Sequence, residues 1–112
     1  MWFKNPEHER YYTKFLEKAQ VRSGEREYLA ALYVLAVLNK PVEQYISPGQ
    51  VALDKFIKTA RPWSSGEKAL VKLAAALFNS TFWKVRVHDV FCSLDSSNCQ
   101  VALEALKTRY QR

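Results

Sequence analysis

Residues 61–79 read RPWSSGEKALVKLAAALFN, and this stretch predicts a helix together with its buried face. Ser64 followed by Glu67 forms a capping box, in which each side chain accepts a hydrogen bond from the other residue's backbone amide. Lys68 and Lys72 fall on the outer side of this helix. Apolar residues recur at the spacing of the opposite face, at Leu70, Leu73, Ala74, Leu77 and Phe78. The stretch therefore predicts an amphipathic helix with a basic outer surface.

The composition of the whole chain also favours helices. Its 112 residues include only 3 glycines and 4 prolines, which is few for a turn-rich β architecture. A chain of this length can bury one hydrophobic core without disulfides or metal. We predict an all-α fold, a compact bundle of five or six helices that forms a single domain over residues 1–112. Residues 82–87 read FWKVRV, and we expect a short extended connector there.

Two helices are predicted before residues 61–79. Asn5, Pro6 and Glu7 combine a capping side chain, a proline in the first turn and an acid at the positive end of the helix dipole. Ser23 is the expected cap of a central, mostly apolar helix over residues 25–38. The first helix is expected to bury Tyr11, Tyr12, Phe15, Leu16 and Ala19.

Further helices are predicted on both sides of residues 61–79. The tetrapeptide SPGQ at residues 47–50 resembles a capped helix start with proline in the first turn, so a helix is expected from there to residue 60. A short helix is expected over residues 87–94, and a last one over residues 98–110 with Ser96 or Ser97 as its cap. The last helix is predicted to bury Cys99, Leu103, Leu106 and Tyr110.

The positive charge of the chain is concentrated in its centre. With 17 basic and 11 acidic residues the formal net charge is +6, yet residues 1–54 hold equal numbers of both signs. Between residues 55 and 86 the only acid is Glu67. The basic residues of this segment are Lys55, Lys58, Arg61, Lys68, Lys72, Lys84 and Arg86. Such a local excess favours an acidic partner or a polyanion.

These seven basic residues, together with Trp63 and Trp83, are the predicted contacts to a partner or to nucleic acid. They form one patch if the helices that flank residues 61–63 lie side by side. Basic side chains interleaved with aromatic rings are typical of surfaces that track and stack single strands. The competing interpretation is that the lysines keep a helical protein soluble and that the tryptophans pack in the core.

Neither catalysis nor metal binding is predicted. His88, Cys92 and Cys99 lie close in sequence, but a structural zinc site needs four ligands, and a free cysteine on a helix face packs as a small hydrophobe. The two cysteines are expected to be reduced, and His8 is expected to be solvated in an exposed first turn. Phosphate-loop and hydrolase motifs do not occur in the sequence. We therefore predict a protein that is not an enzyme and takes no cofactor.

No membrane segment is predicted. The longest apolar run, residues 28–38, is shorter than the roughly 20 residues that span a bilayer. The segment after Met1 has no basic start, apolar middle and small-residue cleavage site of a secretory signal. The expected location is the cytoplasm.

Several short motifs occur in a characteristic order along the chain. They are WFKN at residues 2–5, EHE at 7–9, WSSG at 63–66, LA at 73–74, FN at 78–79, DVF at 89–91 and ALKTRY at 105–110. In this order the chain resembles an uncharacterised family of short helical proteins, a domain of unknown function from Gram-positive bacteria, their phages and mobile elements. The resemblance implies a genomic setting in which partners are often host nucleic-acid machines or defence systems, and it implies no catalytic residues.

The leading hypothesis is therefore a non-enzymatic interaction protein of a phage or mobile element that binds and modulates a host protein or nucleoprotein complex. A defence-system inhibitor is its narrower form, and the net charge of +6 argues against mimicry of DNA. The alternative is a basic module that binds DNA or RNA through residues 55–86. A homodimer is also compatible with the number of large aromatic residues.

Overall fold

The first helix begins at the predicted cap. The computed structural model describes residues 1–111. Helix α1 spans Pro6–Ala19, and the side chain of Asn5 accepts a hydrogen bond from the His8 amide at 2.8 Å. The expected face is largely confirmed, with Tyr12, Phe15 and Ala19 buried and Tyr11 and Leu16 half-buried.

Helix α2, Arg26–Ala36, is the centre of the fold. Every side chain from residue 30 to residue 36 is buried, and α1 packs against it, so the predicted central helix is confirmed. The prediction of Ser23 as its cap is wrong. Glu25 occupies the cap position, and its carboxylate accepts a hydrogen bond from the Arg22 amide at 2.8 Å. The carboxylate is directed back into the preceding turn, which fixes the start of α2 without a capping hydroxyl.

The segment after α2 corrects the sequence prediction at residues 47–50. After a single 3-10 turn at Glu43–Tyr45, strand β1 (Ile46–Ser47) pairs antiparallel with strand β2 (Gln50–Val51). Gly49 has a φ of 70°, and proline followed by a glycine of positive φ is the signature of a type II turn. The serine-proline pair therefore opens a hairpin, and helix α3, Leu53–Thr59, begins after it.

Helix α4, Ser65–Phe78, is the helix that the sequence of residues 61–79 predicts. Both hydrogen bonds of the capping box between Ser64 and Glu67 are present, each at 3.2 Å. Lys68 and Lys72 are exposed. The predicted apolar face packs against α2, with Leu70, Leu73, Ala74 and Leu77 buried and Phe78 half-buried.

The C-terminal part differs from expectation in its buried face. A short connector leads to helix α5, Val87–Phe91, and helix α6 spans Ser96–Tyr110 with the Asp95 carboxylate as its cap, so neither serine is the cap. The side chains that α6 buries are small: Val101, Ala102 and Ala105. Small residues allow α6 to lie close to α2, and the larger apolar residues fall outside that narrow stripe. Leu103 and Tyr110 are exposed, and Cys99 and Leu106 are half-buried.

The predicted fold class is confirmed. Over residues 1–111 the chain forms six α-helices and one hairpin of two-residue strands, packed into a body of 32 × 31 × 30 Å. The connector expected over residues 82–87 is shorter than predicted and spans residues 84–86, because residues 82 and 83 belong to the turn after α4 and Val87 begins α5. In this described part, none of the helices combines the length and the apolar character needed to cross a bilayer.

Candidate interaction surface

A pocket of about 150 Å³ opens between α3 and α4, which pack against each other. Its lining is almost entirely apolar, although half of the residues that form it are basic. The basic residues contribute their aliphatic stems to the wall, and they are exposed at its rim. The lining residues of this α3–α4 pocket are Ile57, Ala60, Arg61, Lys68, Val71 and Lys72.

The short link between the two helices positions the rim. Ala60 is the C-cap of α3, and its carbonyl accepts a hydrogen bond from the Trp63 amide at 2.9 Å. Pro62 restricts the backbone of this turn, and the cap of α4 follows at once with Ser64. Because so few residues connect the helices, Arg61 lies beside the first turns of α4. Helices α3 and α4, which flank residues 61–63, therefore pack together. This is the arrangement under which the basic residues were expected to form one patch.

The rim carries positive charge without a balancing acid. In the described part of the chain, the ion pairs join other residues: Lys14 to Glu43, Lys40 to Glu67, and Arg86 to Asp89. Lys68 and Lys72 are separated by one helical turn, and like charges at this spacing destabilise a helix by about 0.2–0.5 kcal/mol. The charges of Lys68 and Lys72 therefore do not stabilise α4.

The two acids next to the rim are already bound to other groups. Glu67 accepts from the Ser64 backbone and hydroxyl and lies 3.3 Å from the Lys40 ammonium. Desolvation acts to raise the pKa of the Glu67 carboxyl, but the hydrogen bonds from Ser64 and Lys40 outweigh it, so the pKa is lowered. Asp89 accepts from Arg86 at 3.0 Å, and this hydrogen bond, helped by the nearby charge of Lys72, lowers the pKa of Asp89.

Trp63 lies next to a basic residue that the sequence does not associate with it. The ammonium group of Lys40 is 5.3 Å from the centre of the Trp63 ring, which is a cation–π distance. Lys40 follows α2 and is brought to the start of α4 by the packing of α2 against α4. No sequence signal identifies it, because the contact spans more than twenty positions.

Trp83 lies at the opposite end of α4 from Trp63. Its amide donates to the Asn79 carbonyl at 2.9 Å, and its ring meets Phe82 edge to face at 4.9 Å. The 14 residues of α4 separate the two tryptophans by about 20 Å at 1.5 Å per residue. Trp83 therefore does not line the α3–α4 pocket and lies instead beside Leu53 and Asp54 at the start of α3.

The other predicted contacts are exposed, but they do not line this pocket. Lys55 and Lys58 lie on the outer side of α3, and Lys84 lies in the connector. The Arg86 side chain is 85% exposed and is paired with Asp89. The structure thus brings Arg61, Lys68 and Lys72 together and distributes the rest over neighbouring faces.

The expectation that His8 is solvated is wrong. Its side chain is only 1% exposed, and it lies against the rings of Phe3 and Tyr33. Nε2 is 2.7 Å from the carbonyl of Tyr33, and Nδ1 accepts from the Lys4 amide at 3.1 Å. The spacing of His8 from Tyr12, Phe15 and Ala19 follows the buried face of α1, and this periodicity is the signal that identifies it.

The two cysteines carry free thiols. Cys92 is exposed, and Cys99 is half-buried near the start of α6. Within residues 1–111, no three His, Cys, Asp or Glu side chains lie close enough together to hold a metal ion.

Comparisons with family models, with curated proteins and with solved structures find no match to this chain.

Proposed function

We propose that the chain is a non-enzymatic interaction protein of a phage or mobile element, which acts in the cytoplasm by binding and modulating a host protein or nucleoprotein complex. Inhibition of a defence system is the narrower form of this proposal. The sequence resemblance supports the genomic setting, and the surface chemistry supports the binding role.

The basic rim of the α3–α4 pocket carries the proposal. Arg61, Lys68 and Lys72 are exposed around an apolar depression, and no acid within residues 1–111 pairs with them. A net charge of +6 adds long-range attraction to an acidic surface. Charge complementarity of this kind directs encounter and selects the partner, while apolar contact supplies affinity.

Affinity capture from a Gram-positive lysate tests the proposal. The tagged protein is expected to retain a protein partner after nuclease treatment and after a wash at high salt. A Lys68→Gln/Lys72→Gln variant is expected to retain less of it. Lys55→Gln/Lys58→Gln removes the same charge from exposed positions outside the pocket and is the matched control. Loss of all captured protein from the wild type on nuclease treatment would contradict the proposal.

Nucleic-acid binding is the second candidate, and the number of exposed cations in residues 55–86 favours it. The two tryptophans support it less, because α4 separates them. A direct titration with duplex and single-stranded DNA distinguishes this candidate. Binding through phosphates requires an affinity that falls steeply with salt, and an affinity independent of salt would exclude it.

A further inference from the structure

The α3–α4 pocket has the size of a side chain. A cavity of about 150 Å³ accommodates a benzene-sized group, which corresponds to one aromatic or large aliphatic side chain. Ile57, Ala60 and Val71 supply an apolar wall for such a group. Ala60 and Val71 are each 1% exposed and close the base of the depression, so most of its accessible apolar surface comes from Ile57 and the aliphatic stems of the three basic residues.

The charged rim of the pocket indicates which chemical groups should flank the side chain that enters it. Arg61, Lys68 and Lys72 enclose the pocket, and the neighbouring carboxylates of Glu67 and Asp89 are bound to Lys40 and Arg86. A ligand with carboxylates on both sides of its apolar group would therefore meet cations that form no ion pair with an acid of residues 1–111. It would also relieve the repulsion between the two lysines.

We infer that the α3–α4 pocket binds an acidic peptide segment of the partner, with one aromatic or large aliphatic side chain inserted and with Asp or Glu carboxylates placed on Arg61, Lys68 and Lys72. This inference rests on the proposed function and specifies the chemistry of its partner. The apolar side chain anchors the segment, and the carboxylates fix its register.

The lining of the pocket favours a peptide over a nucleotide. A base held by a protein stacks on an aromatic ring or forms hydrogen bonds along its edge. Isoleucine, alanine and valine offer neither, the described lining of the pocket contains no aromatic residue, and its only groups that could contact a base edge are the three basic side chains at the rim. An apolar side chain needs only apolar contact, which this lining supplies.

Selection from a displayed library of random peptides tests the inference. The library is selected with wild-type protein, and each enriched peptide is then titrated by fluorescence anisotropy. Enriched peptides are expected to carry an aromatic or large aliphatic residue next to Asp or Glu. Their affinity is expected to fall about tenfold for Lys68→Gln/Lys72→Gln, since two surface ion pairs are lost, and to change little for the matched Lys55→Gln/Lys58→Gln control. Replacing the apolar residue of the peptide by serine is expected to abolish binding.

Three outcomes would overturn the inference. One is an enriched set without acidic residues, another is equal affinity for both double variants, and the third is the absence of any enriched peptide. Binding of single-stranded DNA that Lys68→Gln/Lys72→Gln alone weakens, without peptide binding, would assign the rim to nucleic acid. Circular dichroism confirms that the variants fold.

The affinity capture separates this inference from the proposed function. If peptides fail to bind while a nuclease- and salt-resistant protein is still captured, the inference about the pocket is wrong and the interaction role stands. If both experiments fail, the proposed function fails as well.

Discussion

His8 lies in an environment that its neighbours in the sequence do not indicate. It follows Glu7 and precedes Glu9, yet its ring is buried and makes two hydrogen bonds. Nδ1 accepts from the Lys4 amide, so the neutral ring carries its proton on Nε2 and donates to the Tyr33 carbonyl. A second proton, on Nδ1, would face the N–H group of Lys4 and would break that hydrogen bond. Desolvation by burial lowers the pKa of His8 from 6.5 and outweighs the hydrogen bond to the Tyr33 carbonyl, which acts to raise it, while the positive charge of Lys4 adds to the lowering.

The stability of the fold is therefore expected to decrease in mild acid. Because the pKa of His8 is lower in the folded state, the unfolded chain binds the proton first, and the stabilising contribution is complete above about pH 6.5. It is lost as the pH falls from there through the folded pKa, with a slope of at most about 1.4 kcal/mol per pH unit. Urea denaturation followed by circular dichroism measures it.

Two substitutions isolate the contribution of His8. His8→Gln keeps a hydrogen-bonding side chain without the titration, and it is expected to flatten the dependence between about pH 7 and pH 5. His88→Gln changes an exposed histidine and is expected to leave it unchanged. An equal slope in wild type and His8→Gln would refute the assignment.

At the scale of the element, the hairpin between α2 and α3 shows what local sequence leaves open. Residues 47–50 fit a helix start, but the left-handed backbone of Gly49 produces a turn. That turn is held by contacts from distant elements: the Gly49 amide donates to the Ala19 carbonyl at 2.9 Å, and the Tyr28 hydroxyl donates to the Gly49 carbonyl at 2.9 Å. Tertiary contacts therefore select the turn over the helix.

Gly49→Ala is expected to destabilise the protein by about 1–2 kcal/mol, the cost of a left-handed conformation for an L residue with a side chain. An added Cβ at Gly49 meets no atom within 4 Å, so backbone strain is the only cost. Gly24→Ala is the matched control, because its Cβ also meets nothing and its φ is not positive. Thermal unfolding measures both, and equal effects of the two substitutions would contradict the turn.

The cap of α4 is expected to account for a separate share of stability. Ser64→Ala removes the hydroxyl that accepts from the Glu67 amide, and loss of an N-cap costs about 1 kcal/mol. Ser65→Ala changes the next residue, which is exposed, and is expected to cost nothing because alanine favours a helix. Chemical denaturation compares the two. A smaller loss for Ser64→Ala than for Ser65→Ala would show that the capping box does not stabilise the helix.

At the scale of the whole molecule, a feature can be predicted from the sequence when it depends on residues that are close together along the chain. The start of α4 and its buried face depend on residues within a few turns, and the sequence predicts them. The buried stripe of α6 depends on how closely α2 approaches, and the small residues Ala102 and Ala105 carry no strong amphipathic signal. The candidate surface is intermediate: its lysines are visible in the sequence, but the pocket and the contact of Lys40 with Trp63 arise only from packing.

Reversing a charge on the rim of the α3–α4 pocket distinguishes a contribution of the rim to folding from a contribution to binding. Lys68→Glu places an acid one turn before Lys72 and near the positive end of α4, and both effects stabilise the helix, by about 0.5–1 kcal/mol together. The same change reverses the charge that would meet an acidic partner. The variant is therefore expected to unfold at a higher temperature than wild type and to capture less partner.

The direction of the two changes distinguishes the two roles of the rim. If the lysines only maintain solubility, Lys68→Glu alters stability and leaves partner capture intact. If the rim supports the fold, the variant unfolds at a lower temperature. Lys68→Gln serves as the control, because it removes the positive charge without adding a helical ion pair and is expected to fall between wild type and Lys68→Glu in both measurements. Higher stability combined with weaker capture is expected only when the cations of the rim serve a partner outside the chain.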